Sequence, residues 1–161
     1  MQVGYLSYGL LAALAIALLI AAFTDLRRRR IDNWLTAAIA LGAPLFWFAM
    51  GLTLPEIGWQ IGIAIASFAV LAGLFAIGAM GDGDVKLLTA LALWIRPDWF
   101  LQLIVIMALI GGLLTIVFGA WHIARRRRDR IAIPYGIAIS AAGLWVLASQ
   151  YLPAMQAQIP A

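Results

Sequence analysis

The stretch Gly78-Ala79-Met80-Gly81-Asp82-Gly83-Asp84-Val85-Lys86-Leu87-Leu88 is the one place in these 161 residues where carboxylates and glycines stand together between apolar runs. Charged groups near hydrocarbon are costly and normally tied to a job. Glycines flanking an Asp let the backbone turn sharply and approach another chain closely. A second polar junction, Phe23-Thr24-Asp25-Leu26, closes the first apolar run. If Asp25 and Asp84 come within hydrogen-bonding range they cannot both ionise comfortably, so they share a proton and titrate as a pair. One is then a base that activates water for attack on a carbonyl, and the other an acid that stabilises the developing oxyanion. The bland alternative is a short polar loop between two helices, in which Gly and Asp are ordinary punctuation.

Composition narrows the chemistry to this kind. With 65% apolar residues, 11% charged and a mean hydropathy of +1.01, the chain carries far more apolar surface than a soluble core of this length could cover. It reads as an all-α integral membrane protein. The net charge of +4 comes from two arginine clusters beside apolar runs rather than from a basic face, so nucleic acid is not an expected partner and membrane lipid is. The absence of Cys removes disulfides, thiolate zinc sites and a thiol nucleophile, and His122 alone builds no metal cage. No cofactor or metal is expected.

The elements that must position the acids are apolar helices, each needing about 20 residues to cross the hydrocarbon. Six spans follow, near 5–24, 34–52, 57–78, 85–96, 99–121 and 132–151, with no linker or repeat, so residues 1–161 form one domain. The first run has no Lys or Arg before it and four Arg after it, the reverse of a cleavable signal, and reads as a retained span. The fourth span is short, roughly 18 Å at about 1.5 Å per residue. Charge parity decides whether it crosses. If it does, all basic residues but Arg96 share one face, which the positive-inside rule makes cytoplasmic, with both termini outside. Asp25 and Asp84 then lie at similar depth on the cytoplasmic side, with Asp84 below the membrane surface.

The other acids have plainer roles. Glu56 and Asp98 fall on the outer side, and Asp129 sits inside the second arginine cluster. Asp32 and Asn33 precede Trp34-Leu35-Thr36 and read as an N-cap of the second span, Asp32 accepting from orphan N–H groups. Asp82, between Gly81 and Gly83, is a solvated loop acid or an assistant to Asp84. Lys86 points away from Asp84 and is expected to snorkel to the surface. Gly58 with Gly62, Ala69 with Gly73, and Gly111-Gly112 suit close helix packing. Trp47, Trp59, Trp94, Trp99, Trp121 and Trp145 suit an aromatic belt, and His122 an interfacial position.

Gly81-Asp82-Gly83-Asp84 resembles the GxGD signature of membrane aspartyl proteases, and with Val85-Lys86-Leu87-Leu88 it is similar to the second motif of the type IV prepilin peptidases. In that family the first catalytic Asp ends the first span, a few residues before a Pro-Asn pair that opens the second. Asp25 and Asn33 occupy those places, while Asp32 stands where the family usually has Pro. Pro134-Tyr135-Gly136 is similar to a third segment of the compact members, and the absence of Cys resembles the branch without a methylating cytoplasmic region. The resemblance implies a bacterial inner-membrane aspartic endopeptidase. Asp25 and Asp84 would be catalytic on the cytoplasmic side, cutting short basic leaders from prepilins or pseudopilins after a Gly at the membrane boundary. The arginines near the site would repel such a leader, which topology or lipid phosphates explain only in part. Two other classes stay open on the residues alone. One is a lipid or phosphate enzyme holding Mg²⁺ on Asp25, Asp82 and Asp84. The other is a non-catalytic proton-coupled carrier or assembly subunit that uses the acids as a relay.

Overall fold

The structure is a computed structural model and describes residues 4–124 and 134–156. Among them are six α-helices and no strand: α1 (Tyr5–Arg28), α2 (Asn33–Met50), α3 (Leu54–Ala76), α4 (Asp82–Ala92), α5 (Pro97–Ala124) and α6 (Tyr135–Gln156). The second arginine cluster, Arg125 to Arg128 with Asp129 and Arg130, lies outside the described residues, as does the expected start of the last span at 132. So does the His122 side chain.

Local chemistry sets the breaks. α1 stops where Arg29 takes a left-handed conformation, φ 52°, and donates its N–H to the Asp25 carbonyl at 2.8 Å. α2 ends on Gly51 at φ 65°, whose N–H reaches Phe48, while Leu52 N–H reaches Trp47. Such a turn satisfies carbonyls that a helix end leaves orphaned. Thr53 and Glu56 open α3, the Thr53 N–H and hydroxyl both meeting the Glu56 carboxylate at 2.8 Å. Gly78, at φ 74°, turns the chain out of α3 toward α4.

α1, α2, α3 and α5 are long and apolar enough to cross a membrane. Their outward faces carry large apolar side chains such as Leu41, Phe48, Leu109 and Ile116, and hydrocarbon is the medium such faces suit. Inward, α1 buries Ser7, Leu11, Leu14, Leu18, Ala21 and Asp25. The alternating steps of four and three make one stripe along the helix, and α1 packs through it against α6 and α2. Asp25 is the last member of that stripe.

α4 has only 11 residues and sits inside, packed against α3, α2 and α6, with Asp84, Leu87, Leu88 and Leu91 all buried. A helix end away from water needs donors for its last carbonyls. The Gln60 amide of α3 supplies them to Ala92 (3.1 Å) and Ile95 (2.6 Å), and the Trp47 indole of α2 supplies Leu93 at 2.8 Å. Trp94 donates to the Ile39 carbonyl at 2.7 Å and stacks on Phe46 with ring centroids 5.0 Å apart. A methyl on Gly42 would stand 2.8 Å from the Trp94 ring, so glycine there makes room for the indole.

Two expectations are corrected. Trp47 and Trp94 serve as donors inside the bundle rather than as belt residues, whereas Trp59, Trp121 and Trp145 are exposed. Among the described residues, nothing packs against Gly58, Gly62, Gly73 or Gly112. α3 buries Gln60, Ala64 and Leu71, and the small residues lie off that stripe. Gly111 does pack closely, against the Tyr135 ring.

Candidate active site

Asp25 ends the buried stripe of α1 and is only 6% exposed. Its Oδ2 accepts the backbone N–H of Gly136 at 2.8 Å, in the first turn of α6. A helix start offers unpaired N–H groups and a partial positive charge, so a carboxylate placed there is both hydrogen-bonded and favoured electrostatically. Pro134 precedes that turn and Tyr135 begins it. The approach is tight enough to forbid a side chain, since a Cβ on Gly136 would lie 2.8–3.0 Å from three atoms of Asp25.

Asp84 occupies the first turn of α4 and is 9% exposed. The Gly81 backbone donates to its carboxylate, and a Cβ on Gly81 would stand 2.9 Å from Oδ2. Gly83 has a separate reason to lack a side chain: a Cβ there would lie 3.0 Å from the Ile31 Cβ, on the segment between α1 and α2. Of the two glycines, one gives room to the acid and the other lets α4 dock.

The two acids, distant in sequence, line one cavity of about 770 Å³ together with Arg29, Asp32, Asn33, Asp82 and Tyr135, and lie within electrostatic range of each other. Arg29 acts electrostatically on Asp25 from the end of α1. Tyr135 rests on Gly111, and its hydroxyl is 3.1 Å from Thr115 Oγ1. The single Thr115 proton goes to the Gly111 carbonyl at 2.7 Å, so Tyr135 is the donor to Thr115. α5 thereby fixes one wall of the cavity.

Lys86 departs from its expected role. Instead of snorkelling free, its ammonium binds Asp82 at 2.7 Å, one helical turn back, and Asn33 Oδ1 at 2.9 Å across on α2. Asp82 is therefore ion-paired, and Asn33 is a link between helices. Asp32 also departs. It stands at the N-cap of α2 with extended φ and ψ, yet its side chain makes no capping bond, and the residue lines the cavity. Among the described residues no three Asp, Glu or His side chains gather closely enough to hold a metal ion. Glu56 and Asp98 line a different cavity, of about 490 Å³, with Arg96 and Trp99.

The sequence reading gave no role to Gln60, Thr115 or the Gly136 N–H. For Gln60 the signal was an amide within an apolar run. For Gly136 the segment Pro134-Tyr135-Gly136 had been singled out without a partner.

Residues 12–116, which include both acids, match the type IV leader peptidase family. A prepilin leader peptidase/N-methyltransferase of Xanthomonas campestris pv. campestris is 29% identical over 134 residues, covering 76% of this chain and 43% of that protein. The chain thus spans less than half the length of this curated relative. No solved structure matches it.

Proposed function

The chain belongs to the type IV leader peptidase family, and from that premise we propose that it is an aspartic endopeptidase of the bacterial inner membrane. It removes the short basic leader from prepilins or pseudopilins, cutting after a Gly just ahead of the substrate's apolar helix. The observation that carries this is the placement of Asp25 and Asp84, each buried and each held by a backbone N–H, on one cavity.

One carboxylate takes a proton from a water lying between the two acids. The water oxygen adds to the carbonyl carbon while the protonated partner donates to the carbonyl oxygen. Collapse breaks the C–N bond as the proton taken from water passes to the departing amine and a hydroxyl of the intermediate returns a proton to the carboxylate that had donated one. The products are a leader with a new carboxylate and a pilin with a new amino terminus. Gly136 and Gly81 hold the acids in place, so little reorganisation is needed at the moment of reaction.

Six crossings, including α4 and α6, with both termini outside and residues 1–161 forming one domain, put this cavity on the cytoplasmic side. A scissile bond between charged leader and apolar helix lies at that same boundary. Co-expression with prepilins, read by the mass of their N-termini, tests the proposal. Asp25→Asn and Asp84→Asn should each lower cleavage by about 10²- to 10⁴-fold or more while the protein stays inserted, and wild-type activity should persist in chelator. A cleaving Asp25→Asn variant with a dead Asp32→Asn variant would move the first catalytic role to Asp32.

A further inference from the structure

Four acidic residues line the cavity, and the carboxylates of three of them are engaged. Asp25 accepts from Gly136, Asp84 from the Gly81 backbone, and Asp82 pairs with Lys86. Asp32 differs. At φ −70° and ψ 134° it has the backbone of a capping residue, in which an Asp side chain ordinarily accepts from the second or third N–H of the helix. Here only its backbone carbonyl is used, by Leu35 and Thr36 at 3.1 and 3.3 Å. Its carboxylate makes no hydrogen bond or ion pair among the described residues.

The cavity wall also carries Arg29 and Arg30, so it is not uniformly attractive to a cation. A cationic segment entering it is repelled by the guanidinium groups and needs a carboxylate at a defined place. The three engaged acids offer less than the free one. Resting on the proteolytic reading above, we infer that Asp32 is a specificity-determining residue whose carboxylate receives a Lys or Arg side chain of the leader. A leader kept on the cytoplasmic side of an apolar helix carries such residues by the positive-inside rule. Asp32 lies on the segment that enters α2 and, unlike the other three acids, has no protein partner among the described residues, so it is assigned to the leader rather than to the scissile bond. The arginines then act as a filter, since a leader is tolerated where its cation meets Asp32. Charge complementarity of this kind selects partners more than it adds affinity.

The test uses the whole protein in detergent and two synthetic substrates, each a leader, a Gly and an apolar helix, differing in a Lys pair or a Glu pair within the leader. Wild type should prefer the Lys leader. Asp32→Asn, close in shape, should raise KM for it by about 2- to 5-fold, the worth of a partly exposed ion pair, with kcat nearly constant. Asp32→Lys should reverse the order, cleaving the Glu leader about 10-fold better relative to the Lys leader than wild type does. An unchanged ratio in Asp32→Lys, or a loss confined to kcat in Asp32→Asn, overturns the assignment while leaving the protease intact. A wild-type protein that cleaves neither substrate overturns the proteolytic reading itself, and the assignment with it.

Discussion

At the scale of single residues, the hydrogen that stands in place of a side chain on Gly136 matters as much as the carboxylate opposite. A methyl added there meets the Cβ, Cγ and Oδ2 of Asp25 within 3.0 Å. Because the Asp25 Cβ is fixed to the α1 backbone, rotation of the side chain cannot relieve the overlap. Gly136→Ala should therefore cost about 1–3 kcal/mol of stability and at least about 10²-fold in cleavage. At Gly81 the near neighbour is the far end of Asp84, which can swing aside. Gly81→Ala should leave thermal unfolding in detergent close to wild type, yet lose cleavage to a similar degree. If both variants lose stability alike, the separate roles given to the two glycines are wrong. The Asp82–Lys86 pair is a milder case. Both side chains are well exposed, 60% and 38%, so Asp82→Asn should keep measurable cleavage and change stability by less than about 1 kcal/mol.

At the scale of elements, the stripe that carries Asp25 was hidden in the sequence for a physical reason. In water, a buried face is marked by contrast with a polar one; in hydrocarbon the outer face is apolar as well, so Ile16, Leu19 and Phe23, which are exposed, look the same as Leu11, Leu14 and Leu18, which are not. What remained visible was charge and turn chemistry: the arginines after α1, the glycines before α4, the shortness of α4. The position of Asp32 at the start of α2 could be read from its spacing, but whether its side chain would cap the helix could not. The partners of Lys86 were missed because Asp82 was read as a loop residue, whereas it opens α4 one turn before Lys86, and because Asn33 lies on another helix. The same limit concealed the end of α4, which depends on Gln60 and Trp47 from two neighbours. Gln60→Leu keeps the volume and removes both donations. It should cost about 1–3 kcal/mol for each carbonyl left unsatisfied, seen as a lower unfolding temperature in detergent. A variant as stable as wild type would mean that water or another donor serves those carbonyls.

At the scale of the whole molecule, placing the cavity on the cytoplasmic side depends on α4, whose 11 residues are too few to span hydrocarbon unaided. Burial resolves the difficulty in principle. A helix surrounded by α2, α3 and α6 meets protein rather than lipid, and residues Leu93 to Arg96 link it to α5 with the Leu93 and Ile95 carbonyls supplied by side chains. Parity then separates the segment between α3 and α4 from the segment between α4 and α5. The chain contains no Cys, so single cysteines report without background. A cysteine at Ala79 should react with an impermeant maleimide only after the inner membrane is opened, whereas one at Asp98 should react in spheroplasts. Cysteines at Arg30 and Leu52 give the same pair of outcomes across α2 and serve as the internal standard. If Ala79 and Asp98 label from one side while Arg30 and Leu52 label from opposite sides, α4 turns back within the membrane. In that case the second arginine cluster is carried to the face opposite the first, against the charge rule that fixed the orientation. The cavity would still hold both acids, because Asp25 lies near the end of α1 and Asp84 in the first turn of α4, ahead of the stretch that crosses or turns back, so loss of the topology would not by itself remove the acid pair.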